Sequence, residues 1–179
     1  MGSGGEVRKL AVLLRAVNVG GIQLKMADLK ALLAAEGFEA PETLLASGNA
    51  VVGTAAKAET VETQIETALK AKLRLSTDVF VRDLAELEAV TAANPFTGFA
   101  AEQPSKMMAV FLKTEPPKDL EPLRKYAVFG EEIAPGPRCL YITYPDGSGR
   151  SKLAGAKAFT SIGTSRNWNT VRKLADKLR

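Results

Sequence analysis

The chain has no histidine, and its 179 residues include one cysteine, Cys139, and one tryptophan, Trp168. Each shortage closes a class of chemistry. Without histidine no side chain has an ordinary pKa near neutrality, and serine–histidine or cysteine–histidine nucleophile pairs are excluded within one chain. Histidine and cysteine are also the usual zinc ligands, so no metal and no cofactor is expected. A lone cysteine cannot form an intramolecular disulfide, which fits a reducing compartment. Its place in the apolar run Cys139-Leu140-Tyr141-Ile142 reads as an inert core thiol. No stretch approaches the ~20 apolar residues of a membrane span. The opening Met-Gly-Ser-Gly-Gly lacks the apolar centre of a signal peptide and is read as a leader outside the fold. A cytoplasmic protein with no membrane association is therefore expected. Aromatics are few, 6%, and Phe80, Phe111 and Tyr141 stand singly in strand-like runs. The aromatic pair of an RNA-reading sheet is missing, so sequence-specific base stacking is not supported.

What is present is a charge imbalance. From residue 150 onwards there are eight Lys or Arg against the single acid Asp176, while the remaining 149 residues carry sixteen basic and nineteen acidic side chains. The whole net charge of +4 thus comes from the C-terminal end, which points to an anionic partner there.

The hydrophobic pattern gives an element order. The apolar run 9–18 is a buried strand entering the Gly20-Gly21 loop, and Met26 to Phe38 has helical spacing with Gly37 as its stop. Thr43–Ser47 and Asn49–Val52 flank a Gly-containing turn and read as a hairpin. A helix over about 58–74 and a strand over 78–82 complete the order β-α-β-β-α-β, a ferredoxin-like split unit. A short helix, 84–92, leads into a stretch at 97–105 that is read as a linker. Beyond it, a strand at 106–112, a helix at 117–125 and strands at 126–133 and 138–144, turning at Pro135-Gly136-Pro137, are followed by a helical start at Ser151 and a basic helix from about Arg166. This second half reads as β-α-β-β-α-α, a split unit without its last strand. The expected class is α+β: two ferredoxin-like subdomains with mainly antiparallel sheets, over 6–96 and 106–179, and a C-terminal helix. No residue-level repeat relates the halves.

Three constellations carry polar groups at element ends. In Arg15-Ala16-Val17-Asn18-Val19-Gly20-Gly21, the glycine pair frees backbone amides that can approach an anion, and serves equally to reverse the chain. Arg15 is read as mid-strand. In Ser47-Gly48-Asn49, glycine and asparagine are what a positive-φ turn demands. The helix starts at Ser151-Lys152 and Thr164-Ser165-Arg166-Asn167 each join a hydroxyl cap to a nearby cation; such ends attract anions, yet most such hydroxyls only cap their own helix. On a helical wheel Trp168, Val171, Leu174, Ala175 and Leu178 form a core stripe, and Arg166, Thr170, Lys173 and Lys177 line a different, basic face. Asn167 falls on the apolar side and is expected to be buried, tying the helix start to a neighbouring loop.

Taken in order, Leu13-Leu14-Arg15-Ala16-Val17-Asn18-Val19-Gly20-Gly21, Met26-Ala27-Asp28-Leu29, Ser47-Gly48-Asn49, Asn94-Pro95-Phe96, Ser151-Lys152-Leu153 and Thr164-Ser165-Arg166-Asn167-Trp168-Asn169-Thr170-Val171 resemble the motifs of a largely bacterial family, domain of unknown function 1697. The match spans essentially the whole chain. It departs at Ala16, where the family usually has glycine, at Ala46, where glutamine is common, and at Ser165, where threonine is usual. The resemblance implies two ferredoxin-like α+β subdomains and no established activity.

The sequence therefore leads to an expectation of noncatalytic binding of a phosphate-bearing ligand, with RNA or another nucleic acid first. The basic helix and a cleft between the subdomains would hold it, through Arg15, Asn18, Gly20, Gly21, Ser47, Asn49, Ser151, Lys152, Arg166, Asn167, Lys173 and Lys177. The split unit can also offer an open sheet to single-stranded RNA. The alternatives are a metal-independent enzyme on a small anionic substrate, using Lys152 or Arg166 for charge stabilisation, and a protein-interaction module such as a homodimer through an open sheet edge.

Overall fold

A computed structural model of the chain describes residues 5–15, 23–44, 48–156 and 161–179. The chain divides into two compact units, Met1–Leu84 with Asp176–Arg179, and Ala85–Ala175. Each holds one four-stranded antiparallel sheet.

In the first unit, β1 (Arg8–Leu14), α1 (Met26–Ala35), β2 (Glu39–Leu44), β3 (Asn49–Thr54), α2 (Ala58–Leu73) and β4 (Val79–Arg82) follow the anticipated order, with strands arranged β2-β3-β1-β4. Alternate residues of β1, namely Leu10, Val12 and Leu14, pack with Ala50, Val52, Val79 and Val81 against Leu29, Leu33, Ile65 and Leu69 of the two helices. Strand period 2 meeting helix period 3.6 accounts for that face. Gly37 ends α1 with φ 89°, where a Cβ would be strained.

Both edges of this sheet are closed to further pairing by particular residues. On β4, the outward N–H groups of Val79 and Val81 donate to the carboxylates of Glu66 (2.9 Å) and Glu62 (3.1 Å), one helical turn apart on α2. On β2, the register shifts between Glu39 and Glu42 at Ala40-Pro41, and proline offers no donor.

The second unit contains α3 (Leu84–Ala92, from its second residue), α4 (Thr97–Glu102), a 3-10 turn at Pro104–Lys106, β5 (Met107–Leu112), α5 (Glu121–Arg124), β6 (Glu132–Gly136), β7 (Cys139–Thr143), a 3-10 turn at Ser148–Arg150, α6 (Lys152–Gly155), β8 (Gly163–Asn167) and most of α7 (Trp168–Leu178). Its strands run β6-β7-β5-β8. One sheet face, with Val110, Leu112, Ile133, Leu140 and Ile142, packs on Leu120, Leu123 and Leu153. On the other face Tyr141 donates its hydroxyl to the Val90 carbonyl of α3 at 2.5 Å and meets Trp168 at a ring separation of 6.4 Å.

Several expectations change. Residues 164–167, read as a helix start, form strand β8 paired with β5 (Phe111↔Thr164 to Met108↔Asn167), so the second unit keeps its last strand. Helix α7 begins at Trp168, not Arg166. The hydroxyl-rich run Thr164-Ser165 suits both a cap and a strand, and pairing with β5 decides it. The stretch 97–105, read as a linker, is mostly helical. Helix α5 is a single turn within the span 117–125, because Leu123 is its one buried residue. Strand β6 begins later and includes Pro135 and Gly136; the turn falls beyond them, with Arg138 at φ 51°. Cys139 is buried and unbridged, as anticipated.

The core stripe of α7 holds, with Trp168, Val171, Leu174, Ala175 and Leu178 buried; on the face read as basic Lys173 is exposed but Thr170 is buried. Trp168→Ala is accordingly expected to lower stability by about 3–5 kcal/mol, whereas Lys173→Glu should change it by less than about 0.5 kcal/mol. Urea denaturation followed by circular dichroism measures both.

Candidate functional site

The predicted site residues separate into roles when followed one by one. At one end of the first sheet, the Leu14 N–H donates to the Gly48 carbonyl at 2.9 Å, and Asn49 stands opposite Leu13. The end of β1 and the β2–β3 turn are therefore neighbours, and both lead into predicted motif segments. Asn49 is buried, and its amide donates to the Leu44 carbonyl at 3.0 Å, closing the hairpin. Gly48 holds the turn at φ 81°. Arg15 lies just past β1 rather than within it; its N–H donates to the Asp78 carbonyl, its guanidinium pairs with the Asp78 carboxylate at 3.0 Å, and Thr77 donates to its carbonyl. Asn18, Gly20, Gly21 and Ser47 lie outside the described residues.

In the second unit Ser151 caps α6, accepting from the Ala154 N–H at 3.3 Å, and donates to the buried Glu131 carboxylate at 2.7 Å. The second oxygen of Glu131 accepts from the Phe129 N–H, also at 2.7 Å. Burial acts to raise the Glu131 pKa, but the bonds from Ser151 and from backbone amides outweigh it and hold the carboxyl below its ordinary 4.5. That negative charge adds to burial in pushing the Tyr144 phenol up. Lys152 and Arg150 are exposed beside this cluster. Because Glu132 and Met107 both pair with Thr143, and Asn167 pairs with Met108, Ser151 and Asn167 occupy the same end of the sheet.

Asn167 does not reach a neighbouring loop as expected. Its Oδ1 accepts from the N–H (3.0 Å) and hydroxyl (3.2 Å) of Thr170, which makes it the cap of its own helix. Arg166 is not on the basic face of the helix. It is 6% exposed, and its guanidinium donates to the Thr164 hydroxyl at 2.6 Å and the Ser165 carbonyl at 2.9 Å. Burial lowers its pKa to about 10, leaving it charged at neutral pH. Lys173 reaches solvent, but Lys177 pairs with Glu42 at 3.0 Å in the first unit.

A residue the sequence reading missed explains Arg166. In the first unit Arg82 is 1% exposed, stands opposite Ala11 of the central strand, and donates to the carbonyl of the preceding Val81 at 3.0 Å. In the second, Arg166 stands opposite Ala109 of the central strand and donates to the preceding carbonyl of Ser165. The same device occurs twice, on the sheet face away from the helical core. The signal was an arginine closing the apolar run Val79-Phe80-Val81. The face that would lie open to single-stranded RNA is instead buried at Ala11, Leu13, Phe80, Ala109, Phe111 and Tyr141.

Among the described residues no group of three His, Cys, Asp or Glu could hold a metal ion, and no helix is long and apolar enough to cross a membrane.

Two complete β-α-β-β-α-β units with antiparallel sheets define an α+β protein of paired ferredoxin-like subdomains. A family model described as protein of unknown function (DUF1697) matches residues 7–141, and the chain belongs to that family. The structure is similar to that of the conserved bacterial protein SP0830 from Streptococcus pneumoniae, with a TM-score of 0.76, 19% identity, and coverage of 97% of this chain and 100% of that one. No curated protein matches the chain.

Ser151→Ala removes both a cap and a buried carboxylate's partner, and should cost about 1–2 kcal/mol at neutral pH. Glu131 is held below its unfolded pKa, so its contribution is present above that pKa and is lost as pH falls through the folded value. The deficit of the variant should therefore narrow on acidification, which denaturation midpoints measured from neutral pH down to the acid limb would record.

Proposed function

We propose that the protein is a noncatalytic binder of phosphate-bearing ligands, a nucleic acid before a small phosphate ester, through exposed cations of its C-terminal region. One observation carries this reading. Arg150, Lys152, Arg172 and Lys173 are exposed and have no ion-pair partner among the described residues, and the one acid from residue 150 onwards, Asp176, is taken by Arg179. Cations that no acid neutralises raise the local concentration of polyanions. Recognition rests on phosphates and not on bases, because the sheet aromatics Phe80, Phe111 and Tyr141 are buried. Sequence-independent, salt-sensitive binding follows.

Of the two charge stabilisers the enzyme reading would use, Arg166 is inside the fold and only Lys152 is exposed. The edge-paired dimer loses support on β4, whose outward N–H groups at Val79 and Val81 are already bonded to α2 carboxylates. A bacterial, cytoplasmic setting suits the unbridged, buried Cys139 and the bacterial origin of the structural neighbour.

Fluorescence anisotropy with labelled RNA and DNA, single- and double-stranded, tests the proposal. Four phosphate contacts should give a log–log salt slope of roughly −3 to −4, and Arg172→Glu/Lys173→Glu should flatten it by about 2 while leaving the melting temperature unchanged. A wild-type protein that binds none of these probes at low salt would end the reading.

A further inference from the structure

The non-helical face of the first sheet carries a second feature, unrelated to the phosphate reading and built from other residues. A cavity of about 360 Å³ opens there, floored by Val51 and Gly53 and walled by Glu39, Glu42, Lys9 and Lys177. That is the size range of small-molecule sites.

Its charges are placed by an irregularity in β2. In a regular strand, residues three apart point to opposite faces. Here the register shifts so that Glu39 pairs with Gly53 and Glu42 with Val51, and both carboxylates fall on one face. The shift passes through Ala40, which lines the same cavity with φ 43°, a left-handed conformation that alanine rarely adopts. Strained backbone of this kind persists where the surroundings hold it, and gathers at ligand sites.

Across the same row of the sheet, Gly53 pairs with Glu39 on one side and Lys9 on the other. Having no side chain, it lets Glu39 and Val7 close in over the strand between a carboxylate and an ammonium; a Cβ there would stand 3.2 Å from the Glu39 Cβ and 3.4 Å from the Val7 Cγ1. Two strand spacings separate the backbones of Glu39 and Lys9, roughly 10 Å. The Glu39 carboxylate has no hydrogen bond or ion pair among the described residues. Lys9 donates to the Lys177 carbonyl at 3.4 Å, and Lys177 pairs with Glu42 while both side chains stay about half exposed. Exposed pairs of this kind are weak and exchange readily for a ligand.

We propose that this cavity binds a small zwitterion, a free amino acid or a short peptide. Glu39 receives its ammonium, Lys9 its carboxylate, and the apolar side chain lies over Val51 and Val7. The two charge signs at opposite walls select against ligands that carry only one.

The test is a titration of the ¹⁵N-labelled full chain with L-leucine, L-leucyl-L-leucine, N-acetyl-L-leucine and L-leucinamide, up to about 10 mM, where weak small-ligand binding is read. The amides of Glu39, Ala40 and Gly53 are expected to shift, and a zwitterion should bind about tenfold more tightly than either singly charged analogue. Preference between leucine and the dipeptide identifies the source. Glu39→Gln should reduce the zwitterion's affinity to that of N-acetyl-L-leucine without changing the latter, and Lys9→Met should do the converse with L-leucinamide. Both positions are exposed, and an unchanged melt confirms folding. Absence of shifts at the three amides, equal binding of all four probes, or full zwitterion affinity in Glu39→Gln would overturn the assignment.

Discussion

Each unit has to bury one guanidinium on the sheet face opposite its helical core, and much else is arranged around that demand. Arg82 and Arg166 sit beside an alanine of the central strand, Ala11 or Ala109, where a larger side chain would compete for the same space. A buried guanidinium keeps its proton and must find acceptors for several donors. Both arginines take the carbonyl immediately before them, and Arg166 adds the Thr164 hydroxyl two residues back on the same face. The Thr164-Ser165-Arg166-Asn167 motif is thus a strand that serves its own arginine and then, through Asn167, caps the helix that follows. Its polar residues stabilise local structure in turn, from strand to cap to helix.

This changes what the motif residues say about function. Asn49 closes a hairpin, Ser151 bridges a cap and a buried carboxylate, and Asn94, in the Asn94-Pro95-Phe96 motif, accepts from the Phe96 N–H at the approach to α4. Such residues read from sequence as a converging site because a cap, a turn and an anion site use the same side chains. Arg172 and Lys173, which are exposed, follow the motif instead of belonging to it.

The first unit was legible almost element by element, since its strands and helices carry strong apolar periods such as Leu10, Val12, Leu14 and Leu29, Leu32, Leu33. In the second, β8 was hidden because its residues Gly163 to Asn167 include no aliphatic side chain, and α5 because a single turn has too few residues to show a period. The core stripe of α7 was readable at Trp168, Val171 and Leu174; the inward turn of Arg166 was not, because a helical wheel extended one turn too far assigns it to the basic face. Arg82 escaped notice because one arginine after an apolar run looks like a strand end reaching water. The bulge at Ala40 was equally hidden, since only the pairing partners Gly53 and Val51 reveal that Glu39 and Glu42 share a face.

The C-terminal segment divides its cations, with Arg166 of the motif held inside and Arg172, just after it, in solvent. Solvent exchange of the arginine Nε–H protons, resolved by ¹⁵N spectroscopy and assigned by Arg166→Lys and Arg172→Lys, addresses it directly. Slow exchange at Arg166 beside fast exchange at Arg172 is the result this structure requires. Equally fast exchange at the two would mean that Arg166 reaches solvent, and would contradict its burial beside Ala109.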